Sequence, residues 1–437
     1  MNHELTKDFI NAHLNDDVNK LALSKFPDDI DKQFVIRQIQ ARQLLKKKLP
    51  SWSENDELLF PKRLSLEQCS SELTAKYKRT ISRNDEEAQC NISENQCRSV
   101  GEKRTLIDLT GGMGVDTSFL SDNFDETIYI EAQEELCELA RHNFKVLYKN
   151  IKVVNATAED FLSQCDNVDC IYLDPARRDE YGRKMVSLHD CSPDVAELQD
   201  LIFEKSKTLM VKLSPMLDID IIKKELKNIK EIHVVAVKNE CKEVLVLCQR
   251  TTDNGQQTLS EEDARPCIST RVVDLYENWK FSFTEEEEQN AIPTFADEIG
   301  KYLYEPGVAC MKAAPFKLLS QRFNIKKLHR NSHLYTSDEL VADFPGRTFE
   351  VINVIPFDKK TKKTLMQTLT QTQSDEHSAT WRLGDLVTQK VSIAVRNFPL
   401  SAEELRKHLS FKDGDDFYIF GTTMKGEKKV LVLGSKC

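Results

Sequence analysis

From residue 105 to residue 248 the chain repeats one pattern: a short apolar run, then a stretch with helical spacing, then another apolar run. The runs lie at 105–109, 127–131, 151–155, 169–174, 208–213, 232–237 and 243–248, with helical stretches such as 134–148 and 194–205 between most of them. Strands joined through helices must run parallel, because a crossover long enough for a helix returns the chain to the same end of the sheet. The last two runs are joined by only five residues, 238–242, too few for such a crossover. They are therefore expected to form an antiparallel hairpin on the sheet edge. The fold class expected is α/β, a seven-stranded Rossmann-like sheet with one reversed strand.

The flanking regions read differently. Residues 1–79 suggest an N-terminal helical domain: the stretch 31–49 places Phe34, Ile36, Ile39, Leu44, Leu45 and Leu49 near helical spacing, and Pro50 ends it. Residues 80–103 are Asn/Glu/Ser-rich and poor in large apolar groups, the composition of a flexible insertion. The sheet domain spans 104–250. Beyond it, 251–284 read as a linker plus one strand (TRVVDLY), followed by an acidic run at 285–288. Pro345-Gly346 separates two C-terminal α+β modules, 270–345 and 346–437, the second with strands expected at 349–355, 391–396, 417–421 and 429–433.

No apolar run reaches the roughly 18 residues a membrane helix needs, and the polar N-terminus has no apolar stretch suited to a signal peptide. Twelve cysteines are scattered without a C-x-x-C pair, which fits free thiols in a reducing cytosol and no zinc or other metal site. A cytoplasmic protein is expected. The net charge of −10 argues against coating nucleic acid by bulk charge. The charge is uneven, however: residues 251–300 hold twelve Asp/Glu against three Lys/Arg, and residues 301–363 hold twelve Lys/Arg against six Asp/Glu.

The first run ends in Asp108-Leu-Thr-Gly-Gly-Met-Gly114, where Gly111, Gly112 and Gly114 let the backbone turn tightly against a ligand. Glu131 follows at the tip of the second run, with Ala132 after it, and can accept hydrogen bonds from ribose hydroxyls. Glu159 and Asp160 follow the third run, where an acid can meet an adenine amino group. A dinucleotide loop would need G-x-G-x-x-G to seat a pyrophosphate. Here Thr117 replaces the third glycine and Asp116 sets a negative charge where phosphates would lie. Acidic neighbours suit S-adenosylmethionine, a nucleoside with a sulfonium cation and no phosphate.

The fourth run delivers Asp174-Pro175-Ala176-Arg177-Arg178. Methyl transfer is an in-line displacement, so the protein must chiefly position a nucleophile. Asp174 is expected to accept a hydrogen bond from the attacking nitrogen, Pro175 to stiffen the turn, and Arg177 and Arg178 to clamp a phosphate or a base edge. The fifth run ends in Lys212-Leu-Ser-Pro215. Methylation of pyrimidine carbon-5 needs a thiolate at one of these two ends. Neither holds a cysteine, which favours a nitrogen acceptor.

The loop LIDLTGGMGVD, the acid Glu131 and the DPARR segment resemble class I S-adenosylmethionine-dependent methyltransferases, most closely a bacterial family with a THUMP-like C-terminal domain. The likeness covers nearly the whole chain. It implies that residues 64–78 fold over the cofactor, with Gln68, Ser70, Thr74 and Tyr77 as contacts. Residues 304–335 are similar to the family's ferredoxin-like module and 397–421 to its THUMP-like module. THUMP domains deliver structured RNA to attached enzymes, so the resemblance implies tRNA or rRNA as partner. Lys312, Lys317, Arg322, Lys326, Lys327 and Arg330, at roughly helical spacing, would then grip the RNA backbone. Thr110 stands where many such enzymes have their first glycine, and Ala176 replaces the second proline of D-P-P-R. Two other readings stay open: a methyltransferase acting on a protein or small molecule, and a non-catalytic RNA-binding protein.

Overall fold

Helices begin in this chain where a side chain can satisfy the first free N–H groups. Asp31 accepts from the N–H groups of Gln33 and Phe34 at 2.9 and 3.1 Å and so opens a helix at Lys32. The computed structural model describes residues 3–83, 103–177, 187–250, 267–374 and 390–437. Most of the expected insertion and Arg178 lie outside them. The described chain falls into two compact units, residues 1–232 with 243–266, and residues 233–242 with 267–437.

The first unit opens with α1 (His3–Ala12), α2 (Val18–Leu23), α3 (Lys32–Leu45), α4 (Pro50–Ser53), α5 (Arg63–Gln68) and α6 (Glu72–Ile81). Pro50 does more than end a helix. The chain leaves α3 at Leu45, and Pro50 takes the first position of α4, where its missing N–H has no partner to lose. Leu45, Leu49, Trp52, Leu58 and Phe60 are buried in one cluster with Met113 and Val115, so the helices pack onto the glycine loop.

The seven runs named from sequence are all strands: β1 (Thr105–Asp108), β2 (Glu126–Glu131), β3 (Ile151–Asn155), β4 (Val168–Leu173), β5 (Ser206–Leu213), β6 (Ile229–Val237) and β7 (Glu240–Gln249). β1 lies between β2 and β4, and β3 and β5 extend the sheet, all parallel; β7 runs antiparallel to β5. Helices α7 (Val115–Leu120), α8 (Glu134–Val146), α9 (Ala158–Gln164), α10 (Val195–Lys205) and α11 (Ile219–Glu225) fill the connections up to β6. The turn from β6 to β7 is Lys238-Asn239, both at positive φ (54° and 56°), the geometry that matches strand twist in a two-residue hairpin.

In the second unit β8 (Ser269–Asp274) and β9 (Trp279–Thr284) form an antiparallel hairpin. The N–H of Leu275 donates to the Ala236 carbonyl at 2.9 Å, so the outer side of β6 is covered. This part of β6 is therefore not the free edge expected. Then come α12 (Glu285–Asn290), β10 (Tyr302–Pro306), α13 (Val308–Ala313), α14 (Phe316–Arg322), β11 (Lys326–Lys327), β12 (Tyr335–Ser337), β13 (Gly346–Pro356), α15 (Thr361–Ser374), β14 (Lys390–Arg396), α16 (Ala402–Leu409), β15 (Lys412–Met424) and β16 (Lys428–Lys436). The strands order as β11-β12-β10-β13-β16-β15-β14, so the two expected C-terminal modules share one sheet through β10 and β13. Among the described residues no helix is long and apolar enough to cross a membrane.

Candidate active site

The tips of β1, β2 and β4 open into a cavity of about 410 Å³. Of the residues expected to contact a cofactor, Gln68, Ser70, Asp108, Thr110, Gly111, Gly112, Gly114, Asp116, Glu131, Ala132 and Glu159 line it, together with Asp174. Asp160, Thr74, Tyr77 and Pro175 do not. Asp160 is exposed on the first turn of α9. Thr74 is buried at the start of α6, its hydroxyl donating to Ser71 O at 3.1 Å. Arg177 pairs through its backbone with Cys191 in a two-residue ladder.

The glycine loop is shaped by close approach. A Cβ on Gly111 would stand 2.1 Å from the Tyr129 ring, and Gly114 takes φ +79° as it starts α7. Glu131 is held from both sides: Gly112 N–H donates to its Oε2 and Gln133 N–H to its Oε1, each at 2.9 Å. Gly112 therefore spends on a carboxylate the N–H that a dinucleotide loop would aim at phosphate. Asp108 is buried and accepts from Thr110 N–H at 2.9 Å and the Thr117 hydroxyl at 2.5 Å. Burial outweighs those bonds and pushes its carboxyl up to about 7.

Asp116 sits inside a buried charge cluster. Its charge does not face the cavity free. The hydroxyls of Ser70 and Tyr172 each donate to it at 2.7 Å, and the Lys78 ammonium, wholly buried, lies 3.2 Å away. Lys78 also reaches Glu243 on β7 at 2.8 Å. The cation comes from α6 and the second carboxylate from β7, so neither is visible around Asp116 in sequence. Burial raises the Glu243 carboxyl, whereas Lys78 and Lys212 hold Asp116 low against its own burial.

Asp174 follows β4 directly, and its N–H donates to the Thr110 hydroxyl at 2.6 Å. Threonine in place of the usual glycine thus ties the loop after β4 to the glycine loop. Lys212, near the end of β5, donates to Asp174 Oδ2. Burial opposes the charge on Lys212, but Asp174, Asp116 and Glu243 outweigh it and keep the ammonium protonated. Asp174 is therefore an ion-paired carboxylate, and among the described residues its Oδ1 has no hydrogen-bond partner. Sequence reasoning misses the role of Lys212, although the residue stands at the end of the fifth run, because the pairing needs the neighbouring registers of β4 and β5. It also misses Cys69, which lines the cavity from the end of α5. Burial raises that thiol, and it donates to Leu66 O at 3.2 Å, so it is a poor nucleophile. His189, Asp194 and Glu197 have ligand atoms within 4.8 Å of one another but do not line the cavity, and Asp194 already caps α10.

A Porphyromonas gingivalis W83 protein, solved as a "putative methyltransferase", matches 99% of this chain and 98% of its own at 32% identity and a TM-score of 0.78. The chain belongs to that methyltransferase family. Within this methyltransferase, residues 302–345 match a family described as a ferredoxin-like domain, and residues 381–436 match one described as THUMP domain-like. An rRNA methylase from Streptococcus thermophilus shares 14% identity over 34% of this chain and 89% of its own, with a TM-score of 0.27. A Pyrococcus horikoshii protein, solved as a "putative RNA methyltransferase", shares 14% over 46% of this chain and 97% of its own, at 0.31. Likenesses this weak carry nothing further. No curated protein sequence matches the chain.

The basic segment of the methyltransferase is not one helical face. Lys312 lies on α13, Lys317 and Arg322 on α14, Lys326 and Lys327 on β11, and Arg330 in the turn beyond. Ala314, at φ +61°, and Pro315 break the helical spacing between α13 and α14. Several of the charges are occupied. The Lys317 ammonium donates to Gln289 O at 2.6 Å, and Arg322 pairs with Glu287 at 2.8 Å while lying over the Phe281 ring. Lys327 is buried, donates to Arg330 O, and is pushed down to about 8 by burial. Lys326 and Arg330 are exposed.

Proposed function

We propose that this methyltransferase uses S-adenosylmethionine to methylate a base nitrogen in structured RNA such as tRNA or rRNA. The observation that carries the cofactor reading is Glu131. Its carboxylate is fixed by two backbone N–H groups at the rim of a cavity of about 410 Å³, a size suited to a nucleoside ligand. Each oxygen keeps lone pairs for the two ribose hydroxyls. Glu159 supplies an acid one strand further along, on the adenine side. The bound cofactor would supply an electrophilic methyl on a sulfonium, and the nearby carboxylates favour its positive charge.

The chain's own work is positional. Lys212 anchors Asp174 Oδ2 and Thr110 anchors its backbone, which leaves Oδ1 to accept an N–H from the incoming base. That contact directs the nitrogen lone pair toward the methyl. The match of residues 381–436 to a THUMP-like family supports RNA as the acceptor. The net charge of −10 favours the rival, a protein or small-molecule acceptor.

The test incubates purified protein with total RNA and labelled methyl donor, then resolves nucleosides by mass spectrometry. Label in one N-methylated nucleoside, lost in Asp174→Ala, is the expected result. Label confined to protein or small molecules overturns the RNA assignment.

A further inference from the structure

Glu305 ends β10 facing Arg347 on β13. Its side chain is 3% exposed, and both its oxygens are taken by guanidinium groups. Arg347 donates through Nε at 2.9 Å and also through Nη2, and Arg396, from the end of β14, donates through Nη2 at 2.9 Å. One buried carboxylate is satisfied by one guanidinium fork. Here it holds two, and among the described residues no other carboxylate pairs with either arginine. The pair therefore carries an excess positive charge while staying about one-third exposed, at 31% and 35%.

The surroundings lack an anion rather than a cation. Burial, helped by the nearby charges of Lys327 and Arg396, pushes the His333 imidazole down to about 4, so the ring is neutral. His333 Nδ1 and Arg396 Nε are buried with no hydrogen-bond partner. Buried unpaired donors and acceptors of this kind are costly. Aromatic rings lie alongside: the Arg347 guanidinium sits 5.5 Å over Phe349 and 5.8 Å over the half-buried Tyr418, and His333 stacks on Phe316 at 3.6 Å. Fixed guanidinium forks beside ring faces are the combination that holds a nucleic-acid strand, forks on the phosphate and rings under the bases.

We propose that Arg347 and Arg396, aimed by the buried Glu305, bind a phosphodiester of a single-stranded part of the RNA substrate, with Tyr418 and His333 as flanking base contacts. This rests on the RNA reading above and moves the grip from the basic run at 312–330 to the C-terminal sheet. Glu305 is the positioning residue: it fixes the forks without touching RNA.

The experiment measures binding of a fluorescent single-stranded oligoribonucleotide and of bulk tRNA to the full chain by anisotropy across a salt series. Arg347→Gln with Arg396→Gln is expected to weaken binding about a hundredfold. It should also lower the slope of log affinity against log salt by about 0.7, the value for one phosphate charge left unneutralised on a single strand. Arg347→Lys with Arg396→Lys keeps the charge without the fork, so the slope returns while affinity stays about tenfold down. Glu305→Gln should weaken binding with the slope unchanged, a result that removal of a merely structural ion pair would not give. S-adenosylhomocysteine affinity, read on the same preparations, should not change in any of them and reports that the protein is folded. Unchanged RNA affinity and slope in both double variants, with RNA bound by the wild type, overturn this site alone. No RNA bound by the wild type overturns the RNA reading and this site together. Displacement of RNA by polyglutamate at equal charge would assign the site to acidic protein and overturn the proposal.

Discussion

The ammonium of Lys212 on β5 closes on the Asp174 carboxylate beyond β4, joining the loop after β4 to a buried charge cluster. Lys78, Asp116 and Glu243 form the rest of that cluster. The loop is thus tied to side chains from two strands, β5 and β7, and two helices, α6 and α7. Pre-set geometry of this kind is what an in-line displacement demands.

Lys212→Met should lower the single-turnover rate of methyl transfer roughly a hundredfold, since Asp174 loses its anchor. S-adenosylhomocysteine affinity should change by only a few-fold, because Lys212 does not line the cavity. Rapid quench with labelled donor separates the two. An unchanged rate would remove Lys212 from the mechanism.

Lys78 tests the cluster as a structural unit. It is wholly buried between two carboxylates, and Asp116 Oδ1 and Glu243 Oε1 have no hydrogen-bond partner even with it present. Removing one member of a buried ion network costs about 3–5 kcal/mol. Lys78→Met should lose that much in urea unfolding at pH 7, and adding Glu243→Gln should recover part of it. A loss below about 1 kcal/mol would show that water reaches the cluster.

The raised carboxyl of Asp108 makes stability and binding depend on pH. Its folded value of about 7 lies above the ordinary 3.8, so the folded state holds the proton more tightly. The stability this contributes is complete below about 4 and is lost as pH rises through about 7. Asp108→Asn should flatten unfolding free energy across that window. A cation in the cavity favours the carboxylate. Binding of S-adenosylmethionine at pH 7 should therefore release protons, visible as a dependence of calorimetric heat on buffer ionisation. Equal heats in phosphate and Tris would contradict the assignment.

Gly111→Ala would drive a methyl to 2.1 Å from the Tyr129 ring, whose hydroxyl holds Gly112 O at 2.6 Å. The loop must shift, at a cost of about 1–3 kcal/mol. At least a tenfold loss of S-adenosylhomocysteine affinity is expected by calorimetry, and unchanged affinity would mean the loop does not contact the ligand.

Much of the site was legible because its signals are local. Asp108, Glu131 and Asp174 each end an apolar run, and parallel pairing of β1, β2 and β4 brings those ends to one rim. Lys78 and Glu243, 165 residues apart, gave no such signal. Their pairing depends on where α6 packs, which spacing does not encode. The strand Trp279–Thr284 alternates Trp279, Phe281 and Phe283 and could have been found by its period of two. The basic run misled for the opposite reason: its spacing looked helical, but Ala314, Pro315 and the positive φ of Asn324 divide it among separate elements. Arg347 and Arg396 drew no notice, being ordinary single charges until Glu305 gathers them.

Isothermal calorimetry of the purified chain against S-adenosylhomocysteine and against NAD is the most direct measurement. One site for S-adenosylhomocysteine, weakened at least tenfold in Glu131→Ala, with no heat from NAD, is predicted. Tight NAD binding with no heat from S-adenosylhomocysteine would contradict the account.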